Sequence, residues 1–267
     1  MAGKITYYEE LFKETAKRLA SGRDEWKAFL STSARNYLYS FEDQIMSYAQ
    51  RPEATACAEY DLWNKVMRRY VKRGSKGIAL FDTSGTYPRL RYVFDVADTG
   101  ERESSREVKL WRLEEEHRDY VTGTLRERYG ASGDYLEDVI EEVSRIRAEE
   151  FWKENKKDCI DIVGDSFLFG YDEDTLKVRF TGAISVSVKY SLLCRCTDNP
   201  DDFCEDWDFN MISEFSTPET IGALGSASTG ITRDVFSEIN RAITEVERQR
   251  ERRNHEQDHL QGDRGLS

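Results

Sequence analysis

Proline is scarce in this chain, with four in 267 residues. Long helices are therefore permitted, since little interrupts the backbone hydrogen-bond ladder. No stretch approaches eighteen consecutive apolar residues, which excludes a membrane-spanning helix. The opening MAGKITYYEELFKE has no apolar h-region and does not read as a secretory signal. Cysteine is confined to positions 57, 159, 194, 196 and 204, an odd number. Without an export signal, reduced thiols in a cytoplasm are the expectation, not a disulfide framework. Several enzyme signatures are also missing. There is no G-x-x-x-x-G-K-[ST], no G-x-G-x-x-G and no G-x-S-x-G, which removes the P-loop, dinucleotide and nucleophile-elbow readings. Positive charge is in deficit too. The net charge is −12, which argues against general adhesion to nucleic acid or to an anionic membrane.

What is present is a core-forming chain with one anomaly. Aromatic residues make up 12%, too many for a disordered polymer. The anomaly is a basic island between Leu62 and Phe94. It holds Lys65, Arg68, Arg69, Lys72, Arg73, Lys76, Arg89 and Arg91 against the single acid Asp82. Eight minus one is +7, so the rest of the chain sums to −12 − 7 = −19. An acidic protein with one basic island is a different object from a uniformly acidic one.

Periodicity predicts an α+β chain, predominantly helical, with a small antiparallel β-hairpin or sheet near residues 77–96. Ile5, Tyr8, Leu11, Phe12, Thr15 and Leu19 mark a first helix, and Gly22 ends it. A second runs from about Asp24. Ser40 opens a third with Asp43 at capping-box spacing, and Pro52 stops it. YDLWNKVMRRYVKRG reads as a fourth, closed by Gly74. GIALFD and LRYVFDV are strand-like runs joined by a turn. Helices are expected again over about 113–129, 134–155, 208–215, 218–227 and 232–253. The run FTGAISVSVKYSLLCRC alternates like a strand, but its length without turn residues favours a buried helix.

Two motifs invite catalytic readings. His255, Glu256 and His259 spell H-E-x-x-H, which needs a third ligand and a dry apolar cleft to act as a zinc hydrolase. Here only Leu260 nearby is apolar, and the other histidine, His117, lies in the charged run LEEEHRD. A solvated helix end is the plainer reading. Cys159, Cys194, Cys196 and Cys204 invite a zinc site. However, C-R-C has a one-residue gap where ligand pairs usually leave two to four. Neither a metal nor a cofactor is expected.

The basic island carries more. On a helix before Gly74, Lys65, Arg68, Arg69, Lys72 and Arg73 share a face at three-to-four spacing. Lys76 lies in the turn that follows, and Arg89 and Arg91 fall on one side of a strand. Trp63, Tyr70, Tyr87 and Tyr92 are interleaved. A cationic track with aromatics suits a single strand, with phosphates neutralised and bases stacked. The competing reading is an amphipathic helix whose outer face is basic, with Trp63 and Tyr70 in the core.

A resemblance supports the first of these. Trp26, Leu30, Tyr39, Ser40, Phe41, Ala49, Gln50, Pro52, Ala54, Thr55, Trp63, Arg69, Val71, Gly74, Gly77 and Ile78 follow a recurring pattern. It is that of the N-terminal single-stranded-DNA-binding domain of ArdC-type antirestriction proteins. Glu42 and Asp43 stand where that family carries an asparagine, and Met67-Arg68 replaces a small residue, adding positive charge. The FEDQ, RGSKGIALFD and LRYVFDV segments more closely resemble the N-terminal region of large helicase- and methyltransferase-like proteins of conjugative elements. That likeness extends more loosely to the C-R-C segment and to DFNMISEFSTPETIGALGSASTGI.

The resemblance implies a non-catalytic module of a mobile-element antirestriction or DNA-processing protein, with single-stranded DNA as partner. Further domains of a larger parent protein are a second implied partner. Arg68, Arg69, Lys72, Arg73, Lys76, Arg89 and Arg91 are expected to meet phosphates, and Trp63, Tyr39 or Tyr92 to stack. The expected organisation is a binding module over 1–100, a helical accessory region over 101–250 and a polar tail over 251–267. The alternatives are a protein-interaction module using the acidic surface and, more remotely, a zinc peptidase at His255 and His259.

Overall fold

The computed structural model describes residues 2–85, 87 and 89–264, with Ala2 and 254–264 described by backbone alone. The chain is predominantly helical with a small antiparallel sheet, as expected. Among the described residues no helix is long and apolar enough to cross a membrane.

The first helices follow the sequence signals. α1 spans Ala2–Leu19, α2 Arg23–Arg35 and α3 Phe41–Gln50. Ser40 Oγ accepts the Asp43 N–H at 3.3 Å, so the predicted cap of α3 is made. The strands β1 (Cys57–Glu59), β2 (Tyr70–Val71), β3 (Ile78–Asp82), β4 (Arg89–Asp95) and β5 (Thr99–Gly100) follow. β4 lies between β1 and β3, and β2 pairs separately with β5. Ile78 stands opposite Val93 and Leu80 opposite Arg91. Ile78, Leu80 and Val93 are thereby turned to one face, where Met46 of α3 and Ala54 close a small core. Gln50 protects the outer edge of β3. Its Nε2 donates to Ala79 O at 2.8 Å and its Oε1 accepts the Ala79 N–H at 2.9 Å, in place of a further strand.

The helical region holds the larger core. α4 covers Glu115–Tyr129, α5 Leu136–Asp161, α6 Glu173–Cys196 and α7 Pro218–Arg264. The ambiguous run over 180–196 is helix. Trp26 of α2 is fully buried and donates Nε1–H to Ser187 Oγ on α6 at 2.9 Å. The Ser187 hydroxyl donates in turn to Ala183 O at 2.7 Å, so the buried polar pair is satisfied. The expected helix near 208–215 is a 3-10 helix over Asp206–Glu214.

Where two C-terminal helices were expected, one 47-residue helix runs on through Arg264. The stretch read as a polar tail from residue 251 is thus helical backbone over most of its length. The side chains of His255, Glu256 and His259 lie outside the described residues, and so do residues 265–267. Gly225 in this helix has a packing reason. A Cβ there would stand 2.1 Å from the Phe41 ring, so the first residue of α3 seats against bare helix backbone. Alanine normally favours a helix by up to about 1 kcal/mol over glycine. Here overpacking at about 1–3 kcal/mol outweighs that gain. A lowered melting temperature is expected for Gly225→Ala, and an unchanged or raised one would refute this account.

The expected fourth helix is the main correction. Helical turns extend only from Tyr60 through the π-helical Leu62–Val66. The chain then bends at Arg68, which adopts φ 55°, and pairs Tyr70 with Gly100 and Val71 with Thr99. The three-to-four spacing was real in the sequence, but long-range partners took the segment out of helix. Arg69 N–H returns to Trp63 O at 2.9 Å, and Arg106 N–H reaches Met67 O at 2.9 Å. Gly74 takes φ 90° in the turn after β2, a conformation that glycine tolerates without strain.

Candidate nucleic-acid interface

With the helix gone, the predicted basic face divides. Arg69 turns inward. Its Nε donates to Thr99 Oγ1 at 2.8 Å and its guanidinium pairs with Glu101 at 2.7 Å, leaving it 8% exposed. It fixes β2 to the β5 side, with its donors directed inside the chain and not to the surface. Arg91 is also committed, to Asp43 and, at 3.5 Å, to Glu59. Asp43 thus meets a cation of its own chain. Lys65 pairs with Asp61 at 2.7 Å. Arg89 is exposed but stands opposite Asp82 at the other end of the hairpin, away from the bend.

Four predicted cations remain exposed around the bend: Arg68, Lys72, Arg73 and Lys76. None has a carboxylate partner among the described residues. Among the described residues, Lys72 Nζ donates only to Ala97 O, at 2.9 Å. They cluster because β2 and the Gly74 turn expose one short segment, not because they share a helix face.

The aromatic assignments change as well. Trp63 is 2% exposed and donates Nε1–H to Phe94 O at 2.8 Å. Its indole is core and does not offer a stacking surface. Tyr39 is half-buried, donates its hydroxyl to Cys57 O at 2.8 Å and lies under the Arg91 guanidinium. Burial, with the neighbouring Cys57, raises its phenol above the usual value. Tyr92 is half-buried with Lys4 Nζ 5.1 Å from its ring centre.

The ring that meets the bend is Tyr70, at 42% exposure. It lies on Gly100, where a Cβ would come within 2.3 Å of the ring. Arg102 stands over it at 5.8 Å and donates to Asn64 Oδ1 at 3.0 Å. Tyr60 is exposed nearby in sequence and meets Phe94 edge-on. Sequence reasoning placed Tyr70 in a helix and passed over Arg102. The one signal pointing to their pairing was Gly100, in a stretch too short to read as a strand.

The five thiols are buried or half-buried. Burial pushes Cys57, Cys194 and Cys196 up to about 12, and Cys159 and Cys204 up to about 11. They stay protonated at neutral pH, as buried thiols in apolar surroundings do. Among the described residues, no group of three or more His, Cys, Asp or Glu is placed to hold a metal ion.

No protein-family model, curated protein or solved structure matches this chain.

Proposed function

We propose that this chain is a single-stranded-DNA-binding module and that it engages the strand through the bend at residues 68–76. One observation carries this reading. Arg68, Lys72, Arg73 and Lys76 are exposed, without carboxylate partners among the described residues, beside the exposed ring of Tyr70, in a chain of net charge −12. Cations that are not internally neutralised are free to replace counterions on phosphates. An exposed tyrosine beside them offers a face to an unpaired base, which a duplex does not present. The resemblance of the first hundred residues to ArdC-type domains, and to large proteins of conjugative elements, supports the same reading. It also supports a place in a mobile-element antirestriction or DNA-processing protein.

The salt dependence follows from the count. Five contacts, with Arg69 among them, imply a slope of about −3.5 in log affinity against log salt, at about −0.7 per contact. With Arg69 turned inward, four contacts give about −2.8. Fluorescence anisotropy of a labelled oligonucleotide at several salt concentrations measures it. Absent binding, or binding indifferent to salt, rejects the proposal.

A further inference from the structure

A cleft of about 550 Å³ opens between the end of α2, residues 110–113, the start of α4 and the end of α6. Four arginines line it, Arg35, Arg112, Arg118 and Arg195, against the two carboxylates Glu115 and Asp198. Arg118 is neutralised by Glu137. The other three have no carboxylate partner among the described residues. Arg35 is held by Ser31, Thr32 and the carbonyls of Pro52 and Ala54.

Arg195 is the distinctive one. Its guanidinium carbon sits 4.0 Å from the Trp111 ring centre, with the rings of Tyr37 and Phe236 also near. It donates to Trp111 O at 3.0 Å and Ala34 O at 3.4 Å, and the rest of its donor fork has no partner among the described residues. Burial lowers the proton affinity of both Arg35 and Arg195. Half-buried cations without a counter-charge are costly, and an anion in the cleft offsets that cost.

The negative end of α6 opposes an anion here. Two of its last four carbonyls are nevertheless occupied. Cys196 O accepts from Arg118 at 3.3 Å, and Leu193 O accepts the Thr197 N–H and hydroxyl at 3.0 and 2.9 Å. Past Leu110 and Trp111 the cleft meets a second hollow of about 330 Å³ with Leu38, Leu62 and Val108 on its walls. A ligand with a charged head and a planar or apolar body fits that sequence of surfaces.

We propose that this cleft binds a terminal phosphate monoester, with Arg195 and Arg112 contacting the phosphate and Arg35 behind them. The phosphate belongs either to a free nucleotide or to the 5′ end of a strand. None of residues 68–76 lines either hollow, and the proposal does not depend on the role of the bend.

Calorimetric titration of the full chain with dAMP, deoxyadenosine and inorganic phosphate tests it. We expect dAMP to bind and deoxyadenosine not to. Arg112→Ala, a rim change that leaves packing intact, is expected to weaken dAMP about tenfold. Arg195→Gln is expected to weaken it at least as much, and Lys76→Ala not at all. A 5′-phosphorylated oligonucleotide that outcompetes its unphosphorylated twin, through Arg112, assigns the strand end as the source. Equal competition together with dAMP binding assigns the free nucleotide. If no phosphate probe binds, or if dAMP binds Arg112→Ala as it binds the parent, the proposal is overturned.

Discussion

Replacing Asp95 with alanine is expected to lower stability by about 3–5 kcal/mol. Asp95 is 3% exposed and ends β4. Its Oδ2 accepts the N–H groups of Thr55 at 2.6 Å and Ala56 at 3.0 Å, and its Oδ1 accepts that of Ala97 at 2.9 Å. One carboxylate thus joins the loop leading into β1 to the 3-10 turn after β4. Removing it orphans three backbone donors, each costing about 1–3 kcal/mol when left dry. Together that is about 3–9 kcal/mol, and water entering beside the exposed Thr55 recovers part of it, which keeps the expected loss toward the lower end. Asn keeps one acceptor oxygen, so Asp95→Asn should fall between alanine and the parent. Urea unfolding of the three proteins measures the series. A loss within about 1 kcal/mol for alanine would mean that the loop finds other partners.

The same carboxylate shows what a sequence makes legible. Asp95 ends a run that reads plainly as a strand, but its partners lie 39 and 40 residues earlier. Periodicity recovered the elements stabilised by their own repeating faces: α1, α2, α3, most of α5 and the β3–β4 hairpin. It was ambiguous for α6 because Ala183, Ile184, Val186, Ser187, Val188, Tyr190 and Ser191 are all buried. A helix buried on several sides satisfies alternation and helical spacing at once. It failed for the two-residue strands β2 and β5, which exist only as partners of one another. The candidate interface was half legible for the same reason. Composition revealed the cations, but whether each is free depends on Glu101 for Arg69 and on Asp43 for Arg91, 32 and 48 residues away. Arg35 and Arg195 are farther apart still, and no local pattern connects them.

The separation of free from committed cations makes the second large effect specific. The triple change Arg68→Glu, Arg73→Glu and Lys76→Glu is expected to weaken single-stranded-DNA binding at least about a hundredfold in 0.1 M salt. At that salt a slope of about −0.7 per contact corresponds to about fivefold in affinity per contact. Three lost contacts therefore multiply to about a hundredfold, and three new negative charges add repulsion. Stability should change by no more than about 0.5 kcal/mol per site, because the three side chains are exposed and unpaired among the described residues. Trp63→Phe should do the reverse. It breaks the buried bond to Phe94 O and lowers the melting temperature, while the folded protein binds DNA as before. Tyr70→Ala belongs with the cations, since an exposed stacking ring is worth about 1–3 kcal/mol per base. Anisotropy titrations paired with thermal melts separate these outcomes. If the triple variant folds and holds the oligonucleotide as tightly as the parent, the bend is not the interface. If Trp63→Phe loses binding while fully folded, the indole has a role that its burial does not explain.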